Sequence, residues 1–265
     1  MKPAKFDYES AATVDEAVKL LGGSDGFAKV LAGGQSLGPM MNLRLAQPDL
    51  LIDVRRIEEL GSVEQRDGGL FIGAGVIHST IEDGALPDAT NGFLPFVAGQ
   101  IAYRAVRNRG TIGGSVAHAD PAGDWPTALL VLGANVEIAS SAGRRSIALE
   151  EFQIGAFTVA LEPEEVVCGF EIPALSDSAR WGHYKVCRKP GEFAAGATGG
   201  AGNAFSKIRA RPRSTSSSSL PTGRLPSSTI RSCLQPRGAT ATQKKTIRTR
   251  CSPESSTSCR QAGWP

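Results

Sequence analysis

KVLAGGQSLGPMMNLRLAQPDLLIDV, residues 29–54, is the stretch whose reading decides the fold. Lys29-Val30-Leu31-Ala32 is a short, largely apolar run that ends abruptly in Gly33-Gly34. A strand meeting a glycine pair, followed by Gln35, Ser36 and Leu37 at the start of a short helix, is the pattern of an α/β turn whose backbone can approach a ligand closely. The helix is expected over 37–43. Leu50-Leu51-Ile52-Asp53-Val54 then supplies a second apolar run, the next parallel strand.

Upstream, Phe6 opens another strand, and Thr13-Val14-Asp15-Glu16 is a capping box for a helix reaching Leu21. Its apolar positions Val14, Ala17, Val18 and Leu21 share one face, and Gly22-Gly23 ends it. Residues 1–60 therefore read as a small α/β lobe. Beyond Ser62 the pattern becomes one of hairpins. Residues 63–65 and 70–72 flank Asp67-Gly68-Gly69, and 136–139 and 145–149 flank Ser140-Ser141-Ala142-Gly143. Two further strands are expected over 166–172 and 181–186, and helices over 94–106 and 124–132. Residues 61–176 form a second, α+β lobe.

That second lobe carries another glycine-rich loop, Thr111-Ile112-Gly113-Gly114-Ser115, leading through His118 and Asp120 to Asp124. In the first loop, Ala32, Gly33, Gly34, Gln35, Ser36 and Leu37 offer successive N–H groups and a hydroxyl to a diphosphate. In the second, Thr111, Ile112, Gly113, Gly114 and Ser115 offer a further glycine pair and hydroxyl, and Asp124 a carboxylate suited to a ribose diol. Each loop alone passes for a turn. Two of them about 80 residues apart imply an extended dinucleotide. Neither fits the Rossmann fingerprint, and no P-loop occurs. Gly73-Ala74-Gly75-Val76-Ile77-His78 approaches that fingerprint, but a histidine stands where the third glycine is required, so it reads as a hairpin end. His118 reads as a loop histidine. Arg104, Arg107 and Arg109 form either a positive approach to the second loop or a solvated basic face.

The chain changes character after Phe193. Residues 1–193 carry a net charge of −8, and residues 194–265 carry +11 with the single acid Glu254. The latter segment contains 22 serines and threonines and no valine. With so few large apolar residues it is expected to be a disordered basic tail, with no motif for nucleic acid. The five cysteines include no C-x-x-C pair, so neither a zinc site nor an iron–sulfur cluster is expected here. No apolar run is long enough to span a membrane, and MKPAKFDYES lacks a signal-peptide core, so a cytoplasmic protein is expected.

Taken together, AGGQSLGPMMNLRLAQPDLLIDV (32–54) and TIGGSVAHADPAGDWP (111–126) resemble the FAD-binding medium subunit of the molybdenum hydroxylases, the carbon-monoxide-dehydrogenase and xanthine-dehydrogenase flavoprotein family. GHYKVCRKPGEF (182–193) extends the resemblance. It implies a two-lobed FAD-binding domain of the PCMH type, then a C-terminal α/β domain starting near residue 177. That domain is lost here, or replaced by the tail, which has the look of a frameshifted reading. The resemblance also implies FAD as cofactor, with a large molybdopterin-binding subunit and a small [2Fe–2S] subunit as partners in paired heterotrimers. By position, the two loops hold the pyrophosphate, Asp124 points towards the AMP ribose, and Tyr184 and Lys185 lie near the isoalloxazine ring. The implied function is electron transfer from iron–sulfur clusters to FAD and an external acceptor. Its rivals are a frameshifted, non-functional flavoprotein and a stand-alone FAD oxidoreductase of the same fold.

Overall fold

The computed structural model describes residues 2–202. The first lobe is built from β1 (Asp7–Ser10), α1 (Val14–Gly22), β2 (Ala28–Leu31), α2 (Leu37–Asn42) and β3 (Leu50–Asp53). Its three strands run parallel in the order β1-β3-β2. The Thr13 hydroxyl caps α1 by accepting from the Glu16 amide at 3.1 Å. Glu16 reaches back to the amide of Ala12 at 2.7 Å, one residue before the position of an ideal capping box. Val14, Ala17, Val18 and Leu21 are all buried, as their spacing predicts.

The second lobe begins after a 3₁₀ turn over Glu58–Gly61. It contains β4 (Val63–Arg66), β5 (Gly69–Gly73), α3 (His78–Glu82), α4 (Phe93–Gln100), α5 (Arg104–Arg107), α6 (Ile112–His118) and α7 (Asp124–Leu132). There follow β6 (Asn135–Ser140), β7 (Gly143–Ala148), α8 (Leu149–Phe152), the short pair β8 (Gln153–Gly155) and β9 (Thr158–Val159), and β10 (Val166–Pro173). An antiparallel sheet, β4-β5-β10-β6-β7, puts β10 at its centre. A bulge between Val167 and Gly169 interrupts β10's pairing with β6. Cys168 sits at that bulge, where burial pushes its thiol up to about 12 and leaves it unreactive.

The lobes share a core, because α1 packs against β6 and β10 as well as against its own β2 and β3. Trp125, Phe93, Phe152 and Phe170 fill the centre. The fold is α+β, and both hairpins expected in the second lobe form. The helix expected over 94–106 does not run through: α4 stops at Gln100 and α5 starts at Arg104. Ala102 takes a left-handed conformation with φ 41°, and the Arg107 guanidinium donates to the carbonyls of Ile101 (2.7 Å) and Ala102 (3.0 Å). Those carbonyls are diverted from a helical ladder, which breaks the helix.

A hairpin of β11 (Trp181–Val186) and β12 (Gly196–Ala201) follows. The second strand lies inside the segment expected to be tail, so regular structure runs past residue 194. Its GATGGA sequence has no apolar pattern; main-chain pairing alone makes it a strand, and its glycines let it lie close to α7, where Gly199 faces Val131. The remaining tail, 203–265, lies outside the described residues, as do Cys233, Cys251 and Cys259. Among the described residues no helix is long and apolar enough to cross a membrane.

Candidate dinucleotide site

The first loop follows the carboxyl end of β2, the end of a parallel sheet at which ligands bind in open α/β folds. Gly34 takes φ 70°, which a side chain would resist. The turn aims three successive amides, those of Gly34, Gln35 and Ser36, away from every backbone carbonyl among the described residues. Ser36 is exposed and its hydroxyl caps nothing, while the Gln35 amide donates back to the Gly33 carbonyl at 3.1 Å and braces the loop. Three free amides and a free hydroxyl in sequence form a nest for an anion.

Beneath this turn, Asp53 closes β3 almost without exposure. It accepts from the Tyr8 hydroxyl and from the Arg55 guanidinium, whose Nε stands 3.0 Å away. Burial works to raise its pKa, but the bonds from Arg55 and Tyr8 prevail and hold it down at about 2. The carboxylate therefore remains charged and ties β1, β3 and the chain that follows β3 together.

The second loop is brought directly against the first. Gly33 packs on the Arg109–Gly110 backbone so tightly that a Cβ at residue 33 would stand 2.7 Å from the Gly110 Cα. The cradle is one that a methyl group would fill. Here the two loops contribute unequally. The amides of Ile112 and Gly113 donate to Val76 and Ala74 at 3.0 and 2.9 Å, and Gly114 donates to the Thr111 hydroxyl at 3.1 Å. Ile112 and Gly113 are buried, and a Cβ on Gly113 would stand 2.7 Å from the Ala74 carbonyl oxygen. The main-chain amides of Ile112, Gly113 and Gly114 thus fasten this segment to the sheet and to Thr111. Exposed Gly114 and the half-buried Ser115, whose hydroxyl is unbonded, keep their access.

Asp124 starts α7, where a negative charge suits the helix dipole. It is 6% exposed and paired at 2.8 Å with Lys185 of β11, itself 5% exposed, whose ammonium also donates to the Gln100 carbonyl at 3.1 Å. Burial raises the pKa of Asp124, and the Lys185 ammonium partly offsets it. Its second oxygen, Oδ1, has no partner, nor does the buried Nε2 of nearby His183. Asp124, expected towards the AMP ribose, and Lys185, expected near the ring, thus stand in direct contact. Lys185 and Tyr184 diverge. Neighbouring residues of a strand face opposite ways, and Tyr184 is 68% exposed.

Among the arginines, Arg104 and Arg107 are committed to Glu82 and Asp83. Arg109 is exposed and makes no ion pair among the described residues, beside the point where the loops touch. His118, expected in a loop, is instead the last residue of α6 and lies tilted at 54° to Phe157, 5.2 Å between ring centroids. Sequence reasoning missed His78, buried and bonded to Trp125. The only signal was the broken glycine fingerprint in which it stands.

Two Gly-rich loops pressed together, one with free amides, above a parallel sheet define a dinucleotide-holding domain of α+β type. Residues 4–175 match the FAD binding domain in molybdopterin dehydrogenase. The carbon monoxide dehydrogenase medium chain of Hydrogenophaga pseudoflava is 38% identical over 194 residues, which are 73% of this chain and 68% of that one. The glyceraldehyde dehydrogenase medium chain of Sulfolobus acidocaldarius is 37% identical with the same coverage. The crystal structure of quinoline 2-oxidoreductase from Pseudomonas putida 86 contains a chain with a TM-score of 0.71 and 38% identity, covering 75% of this chain and 69% of that one. The chain belongs to the FAD-binding subunits of the molybdenum hydroxylases, an oxidoreductase family, and its cofactor is FAD. It matches these relatives over about two thirds of their length.

Proposed function

We propose that this chain is the electron-transfer subunit of a cytoplasmic molybdenum hydroxylase. It would receive electrons from the [2Fe–2S] clusters of a small subunit while substrate is oxidised on a large molybdopterin-binding subunit, in paired heterotrimers. The observation that carries the reading is the contact of Gly33 with Gly110, which joins two loops from different lobes into one cradle. The residues present fit FAD: free amides at Gly34, Gln35 and Ser36 suit its diphosphate, and hydroxyls at Ser36 and Ser115 suit its remaining oxygens.

When bound, FAD supplies the redox chemistry, accepting electrons and releasing them to an external acceptor. The chain's own part is to bind and orient. Ala32 and Leu37 bracket the nest, Gly34 gives it its curvature, and Gln35 braces it from the Gly33 carbonyl. Thr111 caps α6 and so fixes the face that presents Gly114 and Ser115. Asp124 keeps one unpartnered oxygen for a ligand hydroxyl, while Lys185 secures the hairpin that bears exposed Tyr184. No general base is required, because the substrate's bonds would be broken on the large subunit.

Titration of the purified chain with FAD, followed by visible absorbance, tests the reading. Saturable binding at one equivalent, with a perturbed flavin spectrum, is expected. A chain that takes up no flavin at millimolar FAD refutes it.

A further inference from the structure

The amides of Ile112, Gly113 and Gly114 in the second loop are spent within the protein, so that wall of the cradle depends on side chains. Besides Ser115 and Arg109, His78 carries a donor on that side with no partner among the described residues. Residues 76–78 run antiparallel to 110–112: His78 donates its amide to the Gly110 carbonyl at 2.9 Å, and Ile112 donates to Val76 at 3.0 Å. This pairing holds the start of α3 against the loop junction.

The ring is oriented from behind. The Trp125 indole, which can only donate, gives its hydrogen bond to His78 Nδ1 at 3.0 Å. A neutral imidazole accepting at Nδ1 must carry its proton on Nε2. The ring is neutral: burial, with Arg107 adding repulsion, pushes its pKa down to about 4. The side chain is only 4% exposed, and Nε2 donates to no group among the described residues. That nitrogen lies against Gly110, where a Cβ would stand 2.8 Å from it, and Gly110 is the residue on which Gly33 rests. The bare Gly110 thus leaves His78 Nε2 at the junction of the two loops.

We infer that His78 is a further cofactor-binding residue, its Nε2–H donating to the diphosphate held between the loops, with Trp125 fixing the tautomer that makes this possible. The inference rests on the flavoprotein reading above and adds a side-chain donor where the amides of Ile112, Gly113 and Gly114 are already spent.

Two substitutions separate this role from a structural one. An asparagine places its amide near the Nδ1 position and can still accept from Trp125, but it has nothing at Nε2. A glutamine reaches the Nε2 position with a donor and abandons Trp125. FAD dissociation constants from absorbance titration of the full chain, with the melting temperature of each flavin-free protein, are the two readouts. H78N is expected to weaken FAD binding roughly ten- to a hundredfold with little change in melting, since one hydrogen bond to a charged group is lost. H78Q is expected to retain most of the affinity while melting lower. Wild-type affinity in H78N overturns the inference while leaving the flavoprotein reading intact, as does equal loss of affinity in both variants in proportion to their loss of stability. A wild-type chain that binds no FAD overturns the flavoprotein reading, and this inference with it.

Discussion

Replacing Gly33 with alanine tests the contact on which the site depends. The added methyl would collide with the Arg109 carbonyl and stand 2.7 Å from the Gly110 Cα. Both obstacles are backbone, and neither can swing aside. Gly110 is held by its amide, which donates to Val106 at 2.7 Å, and by its carbonyl, which accepts from His78 at 2.9 Å. The loops must therefore part by roughly 1 Å, at a cost of about 1–3 kcal/mol, the usual range for an overpacked site. For a domain of this size that lowers the melting temperature by roughly 3–10 °C. Parting the loops also spoils the cradle, so FAD binding should weaken at least about tenfold. Gly38→Ala is the control: nothing lies within 4 Å of a Cβ there, and the residue is in α2. Alanine should be neutral there or stabilise by up to ~1 kcal/mol. Thermal unfolding without flavin and FAD titration are read on both variants. If G33A melts and binds as the wild type does, the loops are not in contact, and the reasoning about the cradle fails.

Two other perturbations follow from buried charge. Lys185→Met strands Asp124 without its cation, a loss of about 3–5 kcal/mol at neutral pH. The pKa of Asp124 is already raised by burial and should rise further, so the folded state binds the extra proton and stability falls as pH rises through that value. The deficit of K185M against wild type should accordingly shrink between pH 7.5 and pH 5, and a deficit that does not vary with pH would count against a buried carboxylate there. Asp53 has the opposite sign. Its pKa is held at about 2, below the ordinary 3.8, so its stabilisation is complete above about pH 4 and lost as pH falls towards 2. Arg55 is nearly half exposed, which discounts the full shift to about 1–2 kcal/mol. Arg55→Ala should destabilise by that amount at pH 7 and by almost nothing at pH 2, measured by urea unfolding; an equal effect at both would exclude the carboxylate as the cause.

Much of the fold was legible because its elements carry local signals. The face of Val14, Ala17, Val18 and Leu21, the Asp67-Gly68 turn and the apolar runs at 50–54 and 166–172 specify themselves by periodicity and turn chemistry. The errors lie where a distant partner decides. Residues 94–106 have a helical composition, but Arg107 takes the carbonyls of Ile101 and Ala102, which no pattern in that window announces. Strand β12 has no side-chain signal at all and exists because β11 supplies its ladder. Composition placed it in the tail, since a main-chain interaction leaves no mark on composition.

The site shows the same division at finer scale. Glycine pairs say that a backbone must come close to something, but not to what. At Gly34 the freedom is spent on φ 70° and an open nest. At Gly33 it is spent on Gly110, and at Gly113 on Ala74, which is protein meeting protein. Two loops with the same lettering thus have different tasks: the first presents main-chain donors, and the second, with the amides of Ile112, Gly113 and Gly114 consumed, supplies the Ser115 hydroxyl and the surface that closes the cradle. A wall so short of main-chain donors would hold an anion loosely, unless side chains make up the deficit. The histidine that spoils a glycine fingerprint at residue 78 is placed to do so, and its buried partner Trp125 adjoins Asp124 in sequence, so one turn of α7 orients both polar side chains of that wall.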